Sequence, residues 1–367
     1  MQVLGRKEEI STGPSASIGT YRARDGTEGA AIELDIDQPH VGMIFGKRGY
    51  GKSYTLGVLA EELSHAHGIA PILVDPMGVF RSLGDNPAIP GQNIISPKAA
   101  ADSFPPEQWC NLLDIDPESA VGTAIWNVAS RSTTLQEMIA KIETDDIQQT
   151  TRQAAINYLQ LAKSWKIFNG EGISIERLME GKVTVLDCSG MSNAAINAVC
   201  ATVAEKIYSA RVQDETSQLP WLLIDEAHTV FNGIAFPSLR KIITRGRQPG
   251  VSVVAATQRP AAIPEVATSQ ADLLLTHRLT AKPDREVLRR IMPSYMSGSL
   301  EQRLPRSPGE VLLIDDVTEN VHHIKIRNRI TSHGGDTPRA SACGKTATDT
   351  DNGNTAVENT AAQCTSD

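Results

Sequence analysis

The sequence predicts an α/β fold in which a mostly parallel sheet is covered by helices on both faces. Three observations predict it. Short, continuously apolar runs recur at Pro71-Ile-Leu-Val-Asp75, Val183-Thr-Val-Leu-Asp187, Trp221-Leu-Leu-Ile-Asp225, Val251-Ser-Val-Val-Ala-Ala256 and Asp272-Leu-Leu-Leu-Thr-His277. Runs of this kind read as strands buried on both sides. Helical stretches such as Ala194 to Arg211 separate them, and strands alternating with helices build parallel sheets. The third observation is the stretch from His40 to Ser53, where an apolar run ends in Gly46-x-x-x-x-Gly51-Lys52-Ser53. Leu56, Leu59, Ala60 and Leu63 then fall at i, i+3, i+4 and i+7, the stripe of a helix lying on a sheet.

That spacing is a phosphate-cradling loop between a strand and a helix. Glycines at 46, 49 and 51 let backbone N–H groups converge on the β- and γ-phosphates of a nucleotide. Lys52 would reach the same oxygens, and Ser53 would offer its hydroxyl to Mg²⁺. The helix N-terminus favours the anion as well. The run Gly46, Lys47, Arg48, Gly49, Tyr50, Gly51, Lys52, Ser53 and Tyr54 is therefore the expected binding segment for ATP.

Around this loop the elements follow in order. Residues 1–30, rich in Gly, Ser, Thr and Ala, are expected to form a loosely held arm or an edge strand. Ala31 to Asp37 alternates apolar and acidic side chains, as a half-exposed strand does. Pro76-Met-Gly78 ends the Asp75 strand in a turn. From about residue 98 to 169 helical patterns broken by prolines indicate a helical insertion. Glu310–Asp315 and Val321–Ile326, joined by a short acidic turn, read as a β-hairpin closing the sheet at its edge. From 331 to 367 the chain holds no Leu, Ile, Phe, Tyr or Trp, and such a tail is expected to be disordered. The main domain is thus expected to span 31–330.

Composition narrows the class. The chain has 367 residues, 40% of them hydrophobic, and 4% aromatic, enough for one large aliphatic core. No apolar run approaches the roughly 18–20 residues of a membrane span. The N-terminus lacks an apolar signal core, so a cytoplasmic protein is expected. Five single cysteines, at 110, 188, 200, 343 and 364, indicate neither a zinc site nor a disulfide framework. The net charge of −8 argues against a nucleic-acid coat but not against a local basic channel. Between Leu239 and Arg306 there are twelve Lys/Arg against five Asp/Glu.

The chemistry is expected at the C-terminal ends of the strands, where open α/β sheets bind ligands. Asp225 and Glu226 stand there as adjacent carboxylates. Asp225 would hold the Mg²⁺ shell, and Glu226 would orient and polarise the attacking water. Gln258, ending another buried strand, would sense the γ-phosphate or hold that water. Asp75 ends its strand similarly. Arg245 and Arg247 sit on a turn, where a guanidinium could reach a neighbour's γ-phosphate as an arginine finger.

With these motifs in hand, the chain resembles the HerA/FtsK superfamily of P-loop motors, in particular HerA-like, DUF87-type DNA translocases. The matching stretches run from Gly46–Ser53 through Asp75-Pro-Met-Gly78, Gly181–Gly190, Trp221–His228, Gly246–Val251 and Ala256–Pro260 to Ser269-Gln270. The resemblance implies a RecA-like P-loop NTPase core in which the Gln258 strand lies between the two Walker strands. It implies Lys52, Ser53, Asp225, Glu226 and Gln258 as the site in cis, with Arg247 as the finger in trans. It further implies an ATP-driven translocase or helicase on double-stranded DNA, a homo-oligomeric, hexameric ring, and a nuclease partner. Two departures touch that partner. The stretch before residue 31 is too short for the β-barrel usual in HerA proteins, and the family's acidic and aromatic pair after the Asp-Pro turn is here Val79-Phe80. A motor of this kind could serve DNA packaging or conjugative transfer for a mobile element. A nucleotide-dependent switch or assembly ATPase would use the same loop and carboxylates.

Overall fold

A computed structural model of the protein describes residues 2–6, 12–23, 25–291, 295 and 299–334. Twelve strands lie among the described residues. They are β1 (Gln2–Leu4), β2 (Ser15–Arg22), β3 (Glu28–Asp35), β4 (Val41–Phe45), β5 (Ile69–Asp75) and β6 (Gly91–Ile95). There follow β7 (Val183–Asp187), β8 (Leu219–Ile224), β9 (Ser252–Thr257), β10 (Leu273–Thr276), β11 (Glu310–Asp315) and β12 (Asn320–Ile326). Among the described residues they make one twelve-stranded sheet in the order β1-β3-β2-β12-β11-β10-β4-β9-β8-β5-β7-β6. From β10 to β6 every neighbouring pair is parallel.

Apart from its edge strand β6, the parallel half is buried on both faces, and alternate residues of one strand feed two different cores. Ile72 and Val74 of β5 join a cluster with Leu222, Ile224 and the apolar face of the Asn193–Val212 helix. Leu73, between them, joins a cluster with Leu56, Leu59 and Leu63 of α1 (Lys52–His65). This is the expected sheet covered on both sides. Between residues 98 and 169 lie helices at Pro106–Leu112, Ala120–Ala129, Leu135–Thr144 and Gln149–Ser164. They pack on the first cluster through Trp109, Ile125, Met138 and Leu159. Among the described residues no helix is long and apolar enough to cross a membrane.

Of the two alternatives for residues 1–30, the described residues take the strand and not the loose arm: β1 is the edge strand of the sheet and β2 lies inside it, with Leu4, Ala16 and Ile18 buried. Two expectations are corrected. The β11–β12 hairpin is not at the sheet edge. β12 pairs with β2, so the strands of residues 2–35 extend the sheet beyond it. The tail was expected to begin at 331, yet Thr331 is buried, because its backbone and hydroxyl are held by Glu61 of α1. Residues 335–367 lie outside the described residues. The opposite edge strand, β6, carries Gln92 and Asn93 in a half-exposed run, too polar to announce itself in the sequence.

Candidate active site

The phosphate loop spans the gap between β4, which ends at Phe45, and α1, which begins at Lys52. Its glycines are needed for space as well as for turning. A Cβ on Gly46 would lie 2.6 Å from Cβ of His277, and one on Gly51, where φ is 107°, would lie 3.2 Å from the His277 ring. The first turn of α1 carries no acidic residue, and Gly51 provides no side-chain cap. Its N–H groups therefore face the loop without a protein side chain to satisfy them, which suits an anion. Lys52 is buried, with Nζ 3.4 Å from the Lys47 carbonyl oxygen. Burial lowers its pKa, while the charges of Glu226 and Asp225 oppose that shift.

Parallel pairing then sets the carboxylates beside the loop. β9 lies between β4 and β8, with Thr257 level with Phe45 and Ala255 level with Ile224. The residues just past those strands, Gln258 and Asp225, thus reach the same edge as the loop. Ser53 Oγ donates to Asp225 Oδ2 at 2.9 Å. The other oxygen, Oδ1, is buried without a protein partner. Burial, reinforced by the Glu226 charge, pushes the Asp225 carboxyl up to about 6. A buried, unpaired carboxylate oxygen beside a serine hydroxyl is a donor set that fits Mg²⁺, which keeps several waters and takes few protein ligands.

Glu226 follows in the left-handed region, with φ 46° and ψ 45°. That conformation is costly for a residue with a Cβ and concentrates at functional sites. Burial raises the Glu226 pKa; Lys52, Arg48 and the Gln258 side chain pull it back. His228 Nδ1 lies 3.3 Å from Glu226 Oε2 and 3.3 Å from Thr257 Oγ1. Burial lowers the His228 pKa, and the charges of Arg259 and Lys52 add to this.

Other expected residues take different places. Asp75 is fully buried at the end of β5, and its carboxylate accepts the N–H groups of Met77, Gly78 and Phe80 at 3.1, 2.8 and 2.9 Å. It is occupied in shaping its own turn, and burial followed by the Asp225 charge raises it to about 6. Lys47 Nζ stands 4.6 Å from the Tyr50 ring centre, with the Arg278 guanidinium on that ring at 5.6 Å. Arg48 is felt at Glu226 as a positive charge. Tyr54 turns away to Arg329, whose backbone N–H donates to its hydroxyl at 2.8 Å.

Arg247 is not with the rest. It is exposed and lines a cavity of about 430 Å³ with Gln38, Pro39, His40 and Val41. That is the N-terminal edge of the parallel strands, whereas the loop lies past the C-terminal end of β4. At 3.2–3.4 Å per residue the two edges are roughly 13 Å apart along that strand alone. Arg245, also exposed, ends the Phe236–Arg245 helix beside it.

Sequence reasoning missed His277. It is buried just past β10, and its Nε2 lies 3.0 Å from Thr55 Oγ1. Burial and then the Lys52 charge press its pKa down to about 3, so a neutral ring supports the loop from below. The only signal was a histidine closing a strand of three leucines.

Comparison with known proteins gives the family and the fold. The family described as Helicase HerA, central domain (DUF87) matches residues 16–207. A DNA double-strand break repair helicase HerA from Sulfurisphaera tokodaii is 22% identical over 365 residues, covering 88% of this chain and 72% of the relative. Its namesake from Sulfolobus acidocaldarius is 21% identical over 361 residues, with the same coverages of 88% and 72%. Among solved structures, VirB4 of Thermoanaerobacter pseudethanolicus superposes with a TM-score of 0.65 at 17% identity, over 87% of this chain and 97% of that one. The bacterial conjugative coupling protein TrwB gives 0.57 at 13% identity, over 90% and 98%. Both likenesses concern the fold.

Proposed function

We propose, from the premise that the chain belongs to the family of the HerA helicase central domain, that it moves double-stranded DNA by hydrolysing ATP between the subunits of a ring. The chain is an ATP-hydrolysing enzyme of the P-loop class. The observation that carries the finer reading is the division of its site between two edges of one sheet. Lys52, Ser53, Asp225, Glu226 and Gln258 gather at one edge, and Arg247 lies at the other. A cation there is out of reach of its own loop but open to a neighbour's, so head-to-tail packing, repeated around a closed ring, would complete each site.

In this reading Lys52 and the loop N–H groups bind the β- and γ-phosphates. Ser53 and Asp225 hold Mg²⁺, which when bound neutralises charge on the phosphate oxygens. Glu226 orients and polarises the attacking water, steadied by Gln258. Arg247 of the next subunit stabilises charge on the transferred phosphoryl group. Phosphoryl transfer needs mainly positioning and electrostatic stabilisation, and these residues supply both. The relatives named DNA repair helicases support DNA as the substrate. So does the excess of Lys and Arg between 239 and 306, which would face the duplex. A nuclease partner has no support in this chain's own residues.

The test is the ATPase rate with and without duplex DNA at low salt, where phosphate contacts are strongest. Stimulation by duplex is expected. A rate that DNA leaves unmoved would favour a nucleotide-dependent switch that never translocates.

A further inference from the structure

Outside the site, the most heavily bonded charged group described is a carboxylate on the loop's own helix. Glu61 is fully buried, on the face of α1 that also holds Tyr54 and Gly57, at i, i+3 and i+7. Leu56, Leu59 and Leu63 turn another face of the helix into the core beneath the sheet. What covers Glu61 is the segment 327–334, which leaves β12 and crosses α1 as a strap.

The bonds between them are numerous and specific. Glu61 Oε1 accepts the Thr331 hydroxyl at 2.7 Å and its N–H at 2.9 Å. The N–H of Ile330 reaches both carboxylate oxygens, at 3.1 and 3.0 Å, and Arg327 Nη1 donates to Oε2 at 2.9 Å. Burial works against this charge, yet the bonds from Thr331 and Ile330 hold the Glu61 carboxyl below its ordinary range. Arg329, 1% exposed, lies on Gly57, where a Cβ would come within 2.6 Å of its guanidinium carbon. Further on, Ser82 Oγ donates to the Ser332 carbonyl at 2.6 Å, and Gly334 N–H donates to the Val79 carbonyl at 3.3 Å. The strap therefore ties α1 to the turn that Asp75 shapes, beside the strand that carries Asp225.

A buried ion pair is poor at adding stability, and an apolar contact of the same volume often does as well. Its better use is to fix one geometry. Here the fixed object is the helix whose first residues are Lys52, Ser53 and Tyr54, and the Tyr54 hydroxyl is itself bonded to the strap. We propose that Glu61 is a positioning residue for nucleotide binding, through which the strap 327–334 holds α1, and with it the phosphate loop, in register against the turn after β5. The proposal rests on the nucleotide reading above and adds to it an element that never touches the nucleotide.

The experiment measures the Kd of full-length protein for fluorescently labelled ADP, KM and kcat for ATP, and Tm. Glu61→Gln keeps the side chain's shape and removes its charge. Gly57→Ala favours the helix, since alanine is the better helix former, but displaces Arg329. Both should raise Kd and KM about tenfold, as small misplacements of binding groups do, while kcat at saturating ATP stays within about twofold. Thr331→Val should weaken binding and Thr331→Ser, which keeps the hydroxyl, should restore it; this pair decides the matter if Glu61→Gln fails to fold. Affinity unchanged in these variants, with or without a lowered Tm, would overturn the proposal and leave the strap a structural tie. Wild-type protein that bound no nucleotide would overturn the proposed function along with it.

Discussion

Ser53 Oγ donates to Asp225 Oδ2 at 2.9 Å, joining the first turn of α1 to the end of β8. Asp225 is held up to about 6 by burial and by Glu226 beside it, against an unfolded value near 3.8. Between those two values the folded protein keeps a proton that the unfolded chain has released. Stability from this group is therefore present below about pH 4 and lost as pH rises through about 6. Asp225→Asn removes that dependence. Without nucleotide or divalent ions, the variant should be more stable than wild type at pH 8, on the order of 2 kcal/mol. The gap should close as pH falls towards 4. Denaturant titrations at several pH values check this, and a gap independent of pH would refute it.

In the proposed site Glu226 would act on the attacking water and not on the phosphates, so Glu226→Gln should keep ATP binding within about twofold and lower kcat by roughly 10²–10⁴. Equilibrium binding and steady-state turnover on one preparation separate the two effects. Hydrolysis at the wild-type rate would show that the water is activated elsewhere.

Much of this was legible in the chain. Apart from β6, the strands of the parallel half are apolar runs, and their shared edge follows once they are parallel, which brings Asp225 and Gln258 to the loop. What the sequence hid depends on contacts between distant segments. Nothing local says that β12 pairs with β2, so the hairpin read as an edge. His277 looked like the end of a strand, and only its approach to Gly46 and Gly51 reveals that it supports the loop. Glu61 follows Leu59 and Ala60 in the helix, and nothing local marks it as buried; its partners are more than 260 residues away.

The same contacts bear on truncation of the segment after Ile330. A chain ending at Ile330 loses Thr331 and leaves the buried Glu61 carboxylate without two of its donors. Losing donors to a buried charge costs about 1–3 kcal/mol. The truncated protein should therefore unfold at lower denaturant concentration than full-length protein, with the same slope. An unchanged midpoint would mean that Thr331 adds nothing to the fold.

Arg247 offers the sharpest test of a shared site. As a finger supplied in trans, its loss should leave ATP binding intact and lower hydrolysis by a factor on the order of a thousand. Arg247→Ala subunits keep their carboxylates, whereas Glu226→Gln subunits keep their arginine but cannot activate water. When the second kind sits beside the first, its arginine completes a working site from two inactive proteins. A mixture allowed to exchange subunits should regain measurable ATPase activity, and neither pure protein should. Two residues away, Arg245 is the rival, exposed at the same edge of the sheet. If co-assembled mixtures stay as inactive as their parents, Arg247 is not the shared residue, and the same pairing made with Arg245→Ala should then recover the activity.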